Sequence, residues 1–138
     1  MKPQLSVLHL NVRSFNQHFD EFKNLFDSLP FPFDFVGCLE TCINSQLNLD
    51  RFEIVGYQLI TDNRTFSCGG GVAFYVKRDH TFKVRDDLKL PDIENIWIES
   101  ADLVIAVFTN LHSFLIRIFY INSKKSCINF ICLNGGAW

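Results

Sequence analysis

The sequence predicts an α/β fold with a mixed sheet, and three observations carry that expectation. A strand, an amphipathic helix and a second strand succeed one another within the first 39 residues. Five further short apolar or alternating runs come after them, with no second helical pattern between them. The composition is globular, with 138 residues of which 48% are hydrophobic and 20% charged, including 15 phenylalanines. A chain of this length makes one ordinary domain and can bury about 68% of the surface its unfolded form exposes.

Taken in order, residues 5–10 (LSVLHL) form an apolar run suited to a strand covered on both faces. Ser14 and Gln17 make an S-x-x-Q capping box, in which side chains satisfy the free amides of a helix start. Phe19, Phe22, Leu25, Phe26 and Leu29 then recur at helical spacing, while Asp20, Glu21, Lys23, Asn24 and Asp27 take the outward face. Pro30 and Pro32 end the helix. Residues 34–39 (DFVGCL) are a second apolar strand. Strand, helix and strand of these lengths predict parallel pairing with a right-handed crossover.

Beyond this unit, residues 57–60, 71–77, 82–85, 93–99 and 104–108 read as short strands joined by turns. Val72, Phe74 and Val76 alternate with Ala73, Tyr75 and Lys77, which predicts one face more buried than the other. Residues 114–121 are apolar apart from Arg117 and fall short of the roughly 18 to 20 residues that span a bilayer. They read as a buried strand, and no membrane association is expected.

The net charge of −2 argues neither for nor against nucleic acid, and the sequence shows no Lys/Arg cluster of the kind that binds DNA through a basic patch. Contact with DNA would need a metal ion and a few placed cations. The cysteines Cys38, Cys42, Cys68, Cys127 and Cys132 are odd in number, contain no C-x-x-C and are preceded by no signal-peptide pattern. They predict reduced thiols in an intracellular protein; Cys38 and Cys42 lack the second Cys/His pair a zinc site needs. All 15 acidic residues lie between Asp20 and Asp102, and beyond them only Arg117, Lys124 and Lys125 are charged. That break suggests a domain over 1–108 and a divergent hydrophobic tail over 109–138. The tail is either foreign to the domain or an ordinary pair of hydrophobic strands.

Parallel strands deliver the residues at their carboxyl ends to one shared edge, and open sheets bind ligands just outside that edge. Asn11 and Glu40 both stand there. An amide oxygen beside a carboxylate suits Mg²⁺, which takes one or two carboxylates and leaves other positions to water and phosphate. By themselves these residue types more often mark a turn asparagine and a solvated glutamate. Gly69, Gly70 and Gly71 lack a subsequent G-K-[ST] and lead into a strand, so they predict a tight turn and close backbone approach rather than a phosphate loop. His9 lies within a strand as a packing histidine, whereas His18 and His80 read as surface residues.

The segments LHLNVRS (8–14) and FVGCLET (35–41) resemble the opening of the endonuclease/exonuclease/phosphatase superfamily. DNRTFSCGGGVAFYVK (62–77) resembles the next segment of its non-LTR retrotransposon branch, and IENIWIE (93–99) with the strand after it fits in order and spacing. The resemblance covers about residues 5–108 and implies the amino-terminal part of a four-layer α/β sandwich, with the second half missing. It implies a Mg²⁺-dependent endonuclease, with Mn²⁺ as a substitute, in which Glu40 coordinates the metal and Asn11 helps position metal and scissile phosphate. Arg64 would meet a DNA phosphate or stand as a surface cation; Arg13 matches the branch without an assigned role. Implied partners are duplex DNA and a reverse transcriptase in the same longer polypeptide; the implied location is the nucleus.

The branch's remaining catalytic parts are a tyrosine, an Asp-x-Asn pair and a late Ser-Asp-His. They are not matched here: Thr109, Asn110 and Leu111 stand where an aromatic and Arg-Pro-Pro are expected, and His112 stands in L-H-S. A general base contributes about 10²- to 10⁴-fold, so its loss with its partners implies activity near background. Without a second layer, the sheet would expose an apolar face unless the tail covers it. The alternatives are an inert or binding-only remnant of a decayed element, or another branch such as an abasic-site endonuclease or a phosphatase.

Overall fold

The computed structural model describes residues 5–43, 47–63, 70–100 and 103–109, together with the backbone of 114–120 and 128–133. Arg64, Gly69 and His112 lie outside the described residues. The elements are β1 (Leu5–Asn11), α1 (Phe15–Asp27), β2 (Phe35–Leu39), β3 (Tyr57–Asp62), β4 (Val72–Lys77), β5 (Lys83–Val84), β6 (Asn95–Ser100), β7 (Leu103–Thr109), β8 (Phe114–Tyr120) and β9 (Ile128–Leu133). Short 3₁₀ turns at Leu49–Phe52 and Asp86–Leu88 complete them.

Two sheets result. One has the order β3-β4-β2-β1-β9 and the other β5-β6-β7-β8. The expected βαβ unit is present: β1 and β2 are parallel neighbours, with Val7 opposite Phe35 and Asn11 opposite Leu39. β4 runs antiparallel to β2 and β3, which makes the first sheet mixed. The α/β fold with a mixed sheet stands as expected. The chain beyond residue 109 adds one strand to each sheet, β8 antiparallel to β7 and β9 parallel to β1.

α1 forms because its apolar residues share one side, and that side covers the first sheet. Phe15, Phe19 and Phe22 are buried with Leu8, Leu10, Val12, Val36, Cys38 and Tyr75. The packing is largely aromatic: Phe15 lies 5.5 Å edge-on from Phe19 and 5.4 Å from a stacked Phe52, and Phe22 stacks 5.7 Å from Tyr75. Tyr75 and Tyr57 bury their rings and donate their hydroxyls at 2.6 Å to the carbonyls of Phe52 and Phe33. A buried phenol needs such a partner.

The structure departs from expectation at four places. Ser14 precedes α1 but makes no side-chain cap, so the S-x-x-Q box does not form. The amides of Ser14 and Phe15 go instead to the carbonyls of Glu40 and Thr41, at 2.7 and 2.9 Å. β4 is covered on both faces rather than one, with Ala73 and Tyr75 toward the helix and Val72, Phe74 and Val76 toward the second sheet. The inner face of the first sheet is not left open. Ile96, Ile98, Leu103, Ile105 and Val107 of β6 and β7 pack against Val7, Phe35, Leu39 and the Val72, Phe74 and Val76 side of β4, so the second layer is supplied from within the chain. His80 is no surface residue: its side chain is 22% exposed, contacts Asp34 at 2.6 Å and stacks on Phe35. His9 is buried among the strands as expected.

Candidate active site

Asn11 closes β1, and Glu40 comes directly after β2. Neighbouring strands lie about 4.8 Å apart, and Asn11 faces Leu39 across the pairing, so the register brings both polar residues to one rim. Both are half-buried, reachable from solvent but seated in the fold. The Asn11 Oδ1 accepts the Arg13 amide at 3.1 Å. A carbonyl oxygen has two lone pairs, so one remains for a ligand. Arg13 itself is exposed at the same rim.

The backbone here is unusual. Arg13 (φ 49°), Ser14 (φ 82°), Glu40 (φ 53°) and Cys42 (φ 53°) occupy left-handed conformations, and so do Gly70 (φ 68°) and Gly71 (φ 85°). For residues with a Cβ such conformations cost of order 1–3 kcal/mol each and persist only where surroundings enforce them. What enforces them is a row of backbone hydrogen bonds. Val12 donates to Leu39, Ser14 to Glu40 and Phe15 to Thr41; Thr41 in turn donates to Gly71 at 3.4 Å and Cys42 to Gly70 at 2.9 Å. The turns after β1 and β2 and before β4 are thereby joined edge to edge.

Gly71 can only be glycine. A Cβ there would meet the Thr41 Oγ1 at 2.6 Å, in addition to the positive φ. Gly70 and Gly71 take the chain into β4 at positive φ, with Gly71 held close against Thr41. Thr41 is fully buried, and its hydroxyl has no hydrogen-bond partner among the described residues.

Several residues at this rim lie in segments the sequence singled out but have no role assigned from it. The Gly71 amide donates to the Glu94 Oε1 at 3.0 Å, and the Thr109 hydroxyl donates to the Glu94 Oε2 at 3.3 Å. Asp62, at the end of β3, accepts the Asn95 amide at 2.9 Å and the Lys89 Nζ at 3.0 Å. Asn95 in turn uses its side chain to hold Leu90, Ile93 and the Trp97 indole. The IENIWIE segment, singled out in the sequence by its order and spacing alone, thus supplies polar anchors at the start of an apolar strand.

The chemistry available is that of hard oxygen donors. By donor type alone, the Glu40 carboxylate and the Asn11 amide oxygen are groups a divalent cation takes beside water and phosphate. No group of three or more His, Cys, Asp or Glu suited to a metal occurs among the described residues. Cys38 is no nucleophile, because burial pushes its thiol far up. Burial lowers the His9 pKa, because desolvation disfavours the charged imidazole. Among the described residues no helix is long and apolar enough to cross a membrane.

No known family profile and no curated protein matches the sequence. Solved structures do match in fold. A 3′ phosphatase from Neisseria, NExo bound to a product DNA hairpin, is similar with TM-score 0.51 and 16% identity over 72% of this chain and 39% of that one. The 3′-5′ exonuclease NExo from Neisseria meningitidis gives 0.50 and 17%, over 72% and 39%. An AP endonuclease from Leishmania major gives 0.51 and 13%, over 81% and 38%. This chain spans about two fifths of the length of each.

Proposed function

We propose that this chain is the amino-terminal part of a divalent-metal-dependent phosphodiesterase domain acting on DNA, of the type carried by non-LTR retrotransposons. The observation that carries the reading is the register of β1 and β2, which brings Asn11 and Glu40 to the carboxyl edge of two neighbouring parallel strands. The fold shared with a DNA 3′ phosphatase, an exonuclease and an AP endonuclease supports it. The sequence of residues 62–77 favours the retrotransposon branch within that fold.

In this reading Glu40 would hold Mg²⁺ or Mn²⁺ through its carboxylate, and Asn11 would meet the metal and the scissile phosphate through its amide. When bound, the metal supplies Lewis-acid stabilisation of charge on the phosphoryl oxygens. Arg13 stands exposed at the same rim, where its charge suits a DNA phosphate. Arg64 is assigned the same role from the resemblance alone. Duplex DNA is the proposed substrate, the nucleus the proposed location, and a reverse transcriptase the proposed neighbour in a longer polypeptide.

Turnover by these 138 residues is proposed to be near background. A base that activates water, its orienting acid and the Asp-x-Asn pair are not matched in this sequence, and His9 is buried within β1 rather than placed at the rim. Metal binding and turnover are therefore tested separately. Titration with Mn²⁺, read by electron paramagnetic resonance, should show one site that Glu40→Ala abolishes. Unchanged binding in Glu40→Ala would refute the metal assignment. With Mg²⁺ and supercoiled plasmid, nicking should stay near the no-protein level; nicking that vanishes in Glu40→Ala would overturn the inactivity while upholding the site. The resemblance to an AP endonuclease favours a second reading, tested by the same assay on a duplex with one abasic site. Cleavage confined to that duplex would select it.

A further inference from the structure

We propose that Glu94 is a positioning residue for the Glu40 turn, a post at the end of the second sheet that holds the left-handed backbone on which the proposed metal ligand sits. The inference rests on the metal reading above and assigns a role to a residue that the reading does not use. Glu94 is only 9% exposed and lies just ahead of β6. Burying a carboxylate is costly unless strong hydrogen bonds compensate it. Glu94 is tied by bonds that reach in two directions. Its Oε1 accepts the Gly71 amide at 3.0 Å, and its Oε2 accepts the Thr109 hydroxyl at 3.3 Å. Its own carbonyl accepts the Thr109 amide at 3.1 Å, which fixes the residue to the end of β7.

From Gly71 the support passes to the site through two bonds. The Gly71 carbonyl accepts the Thr41 amide and the Gly70 carbonyl accepts the Cys42 amide, so both residues after Glu40 hang from the glycine pair. Glu40 and Cys42 are each held at φ 53°. Left to itself a strained turn relaxes toward ordinary φ, and the Glu40 carboxylate would swing with it. The far end of the row is the Glu94 carboxylate, anchored on a different sheet from Glu40. One side chain with two acceptor oxygens ties the Gly71 amide and the Thr109 hydroxyl to the same point, which suits a post that must resist strain.

The test uses the full chain and two readouts. Glu94→Ala should speed amide hydrogen exchange at Gly71, Thr41 and Cys42, leave β8 and the α1 interior unchanged, and weaken Mn²⁺ binding about 10- to 100-fold, as loss of outer-shell support does at metal sites. Glu94→Gln keeps an acceptor for Gly71 and should restore both readouts to near wild type. Should Glu94→Ala not fold, Thr109→Val removes one arm of the support and should shift both readouts in the same direction. Unchanged exchange and unchanged Mn²⁺ affinity in Glu94→Ala or Thr109→Val, with Glu40→Ala still abolishing binding, would overturn the positioning role alone. A Glu94→Gln as defective as Glu94→Ala would also overturn it, since charge and not placement would then be at work. Mn²⁺ binding that survives Glu40→Ala would instead strike the metal reading on which this role rests.

Discussion

The two ends of the first sheet are held by different means. At the carboxyl edge, where Asn11 and Glu40 stand, four of the five left-handed non-glycine residues among those described are gathered, and the turns are joined by backbone hydrogen bonds. At the amino edge, Asp34 draws the structure together with its side chain. Its Oδ2 accepts the Ser6 amide at 2.8 Å and the Ser6 hydroxyl at 3.0 Å, and its Oδ1 meets His80 Nε2 at 2.6 Å. Ser6, Asp34 and His80 all keep ordinary backbone angles. At the amino end Asp34 is committed to the protein; at the carboxyl end Glu94 and Asp62 are committed likewise, while the half-buried Glu40 is left toward solvent on a strained backbone. A carboxylate committed to hydrogen bonds within the protein has little left for a ligand, which is what sets Glu40 apart from Asp34, Glu94 and Asp62.

The largest break in this comparison comes from Gly71. Gly71→Ala must meet both the positive φ and the 2.6 Å approach of Thr41 Oγ1. Strain and overpacking each cost about 1–3 kcal/mol, so a loss of about 3 kcal/mol is expected in urea unfolding. The open position at Gly56, also at positive φ (87°) but with nothing within 4 Å of an added Cβ, gives the control. Gly56→Ala should cost only about 1 kcal/mol, the conformational part alone. Equal losses at the two glycines would show that the edge is not tightly built.

The amino edge is probed by pH. Burial alone would raise the Asp34 carboxyl, but the bonds from His80 and Ser6 outweigh it and hold the carboxyl below its ordinary 3.8. A carboxylate depressed in the folded state adds stability that is complete above its unfolded pKa and is lost as pH falls through the lower folded value. Wild-type stability should therefore drop below about pH 4, and Asp34→Asn should flatten that drop. Asp34→Ala leaves the part-buried Ser6 donors and His80 without their acceptor, at a cost of about 2 kcal/mol at pH 7. Unfolding free energies measured between pH 3 and 7 decide it, and parallel profiles for wild type and Asp34→Asn would remove Asp34 as the anchor.

How much of this is legible in the sequence differs between the same two edges. The β1-α1-β2 unit is, because periodicity of apolar residues reports directly on which face is buried, and the Asn11–Glu40 register comes with it. The strain is not. Left-handed conformations are signalled by Gly, Asn or Asp, and Arg13, Ser14, Glu40 and Cys42 give no such signal. The S-x-x-Q box misleads for a related reason: one of the two amides it should satisfy, that of Ser14, is taken by the Glu40 carbonyl, distant in sequence. His80 reads as exposed because its partner Asp34 lies 46 residues away. Glu94 is hidden likewise, 23 residues from Gly71. Local pattern finds elements; contacts between element ends are invisible to it.

The smallest effect is the most discriminating, because it separates strain from chemistry at a single residue. At φ 53° a Cβ costs about 1–2 kcal/mol that glycine avoids. Glycine in turn loses about 0.4–1 kcal/mol through the greater freedom of its unfolded chain. Glu40→Gly and Glu40→Ala both remove the carboxylate, so both should abolish Mn²⁺ binding, yet Glu40→Gly should be the more stable of the two by about 0.5–1 kcal/mol. At Asp34, where φ is ordinary, the order should reverse, with the glycine variant less stable than the alanine. Urea titration of the four variants suffices. An alanine at 40 as stable as the glycine would mean that the turn relaxes without cost, and the strain assigned to the carboxyl edge would have to be withdrawn.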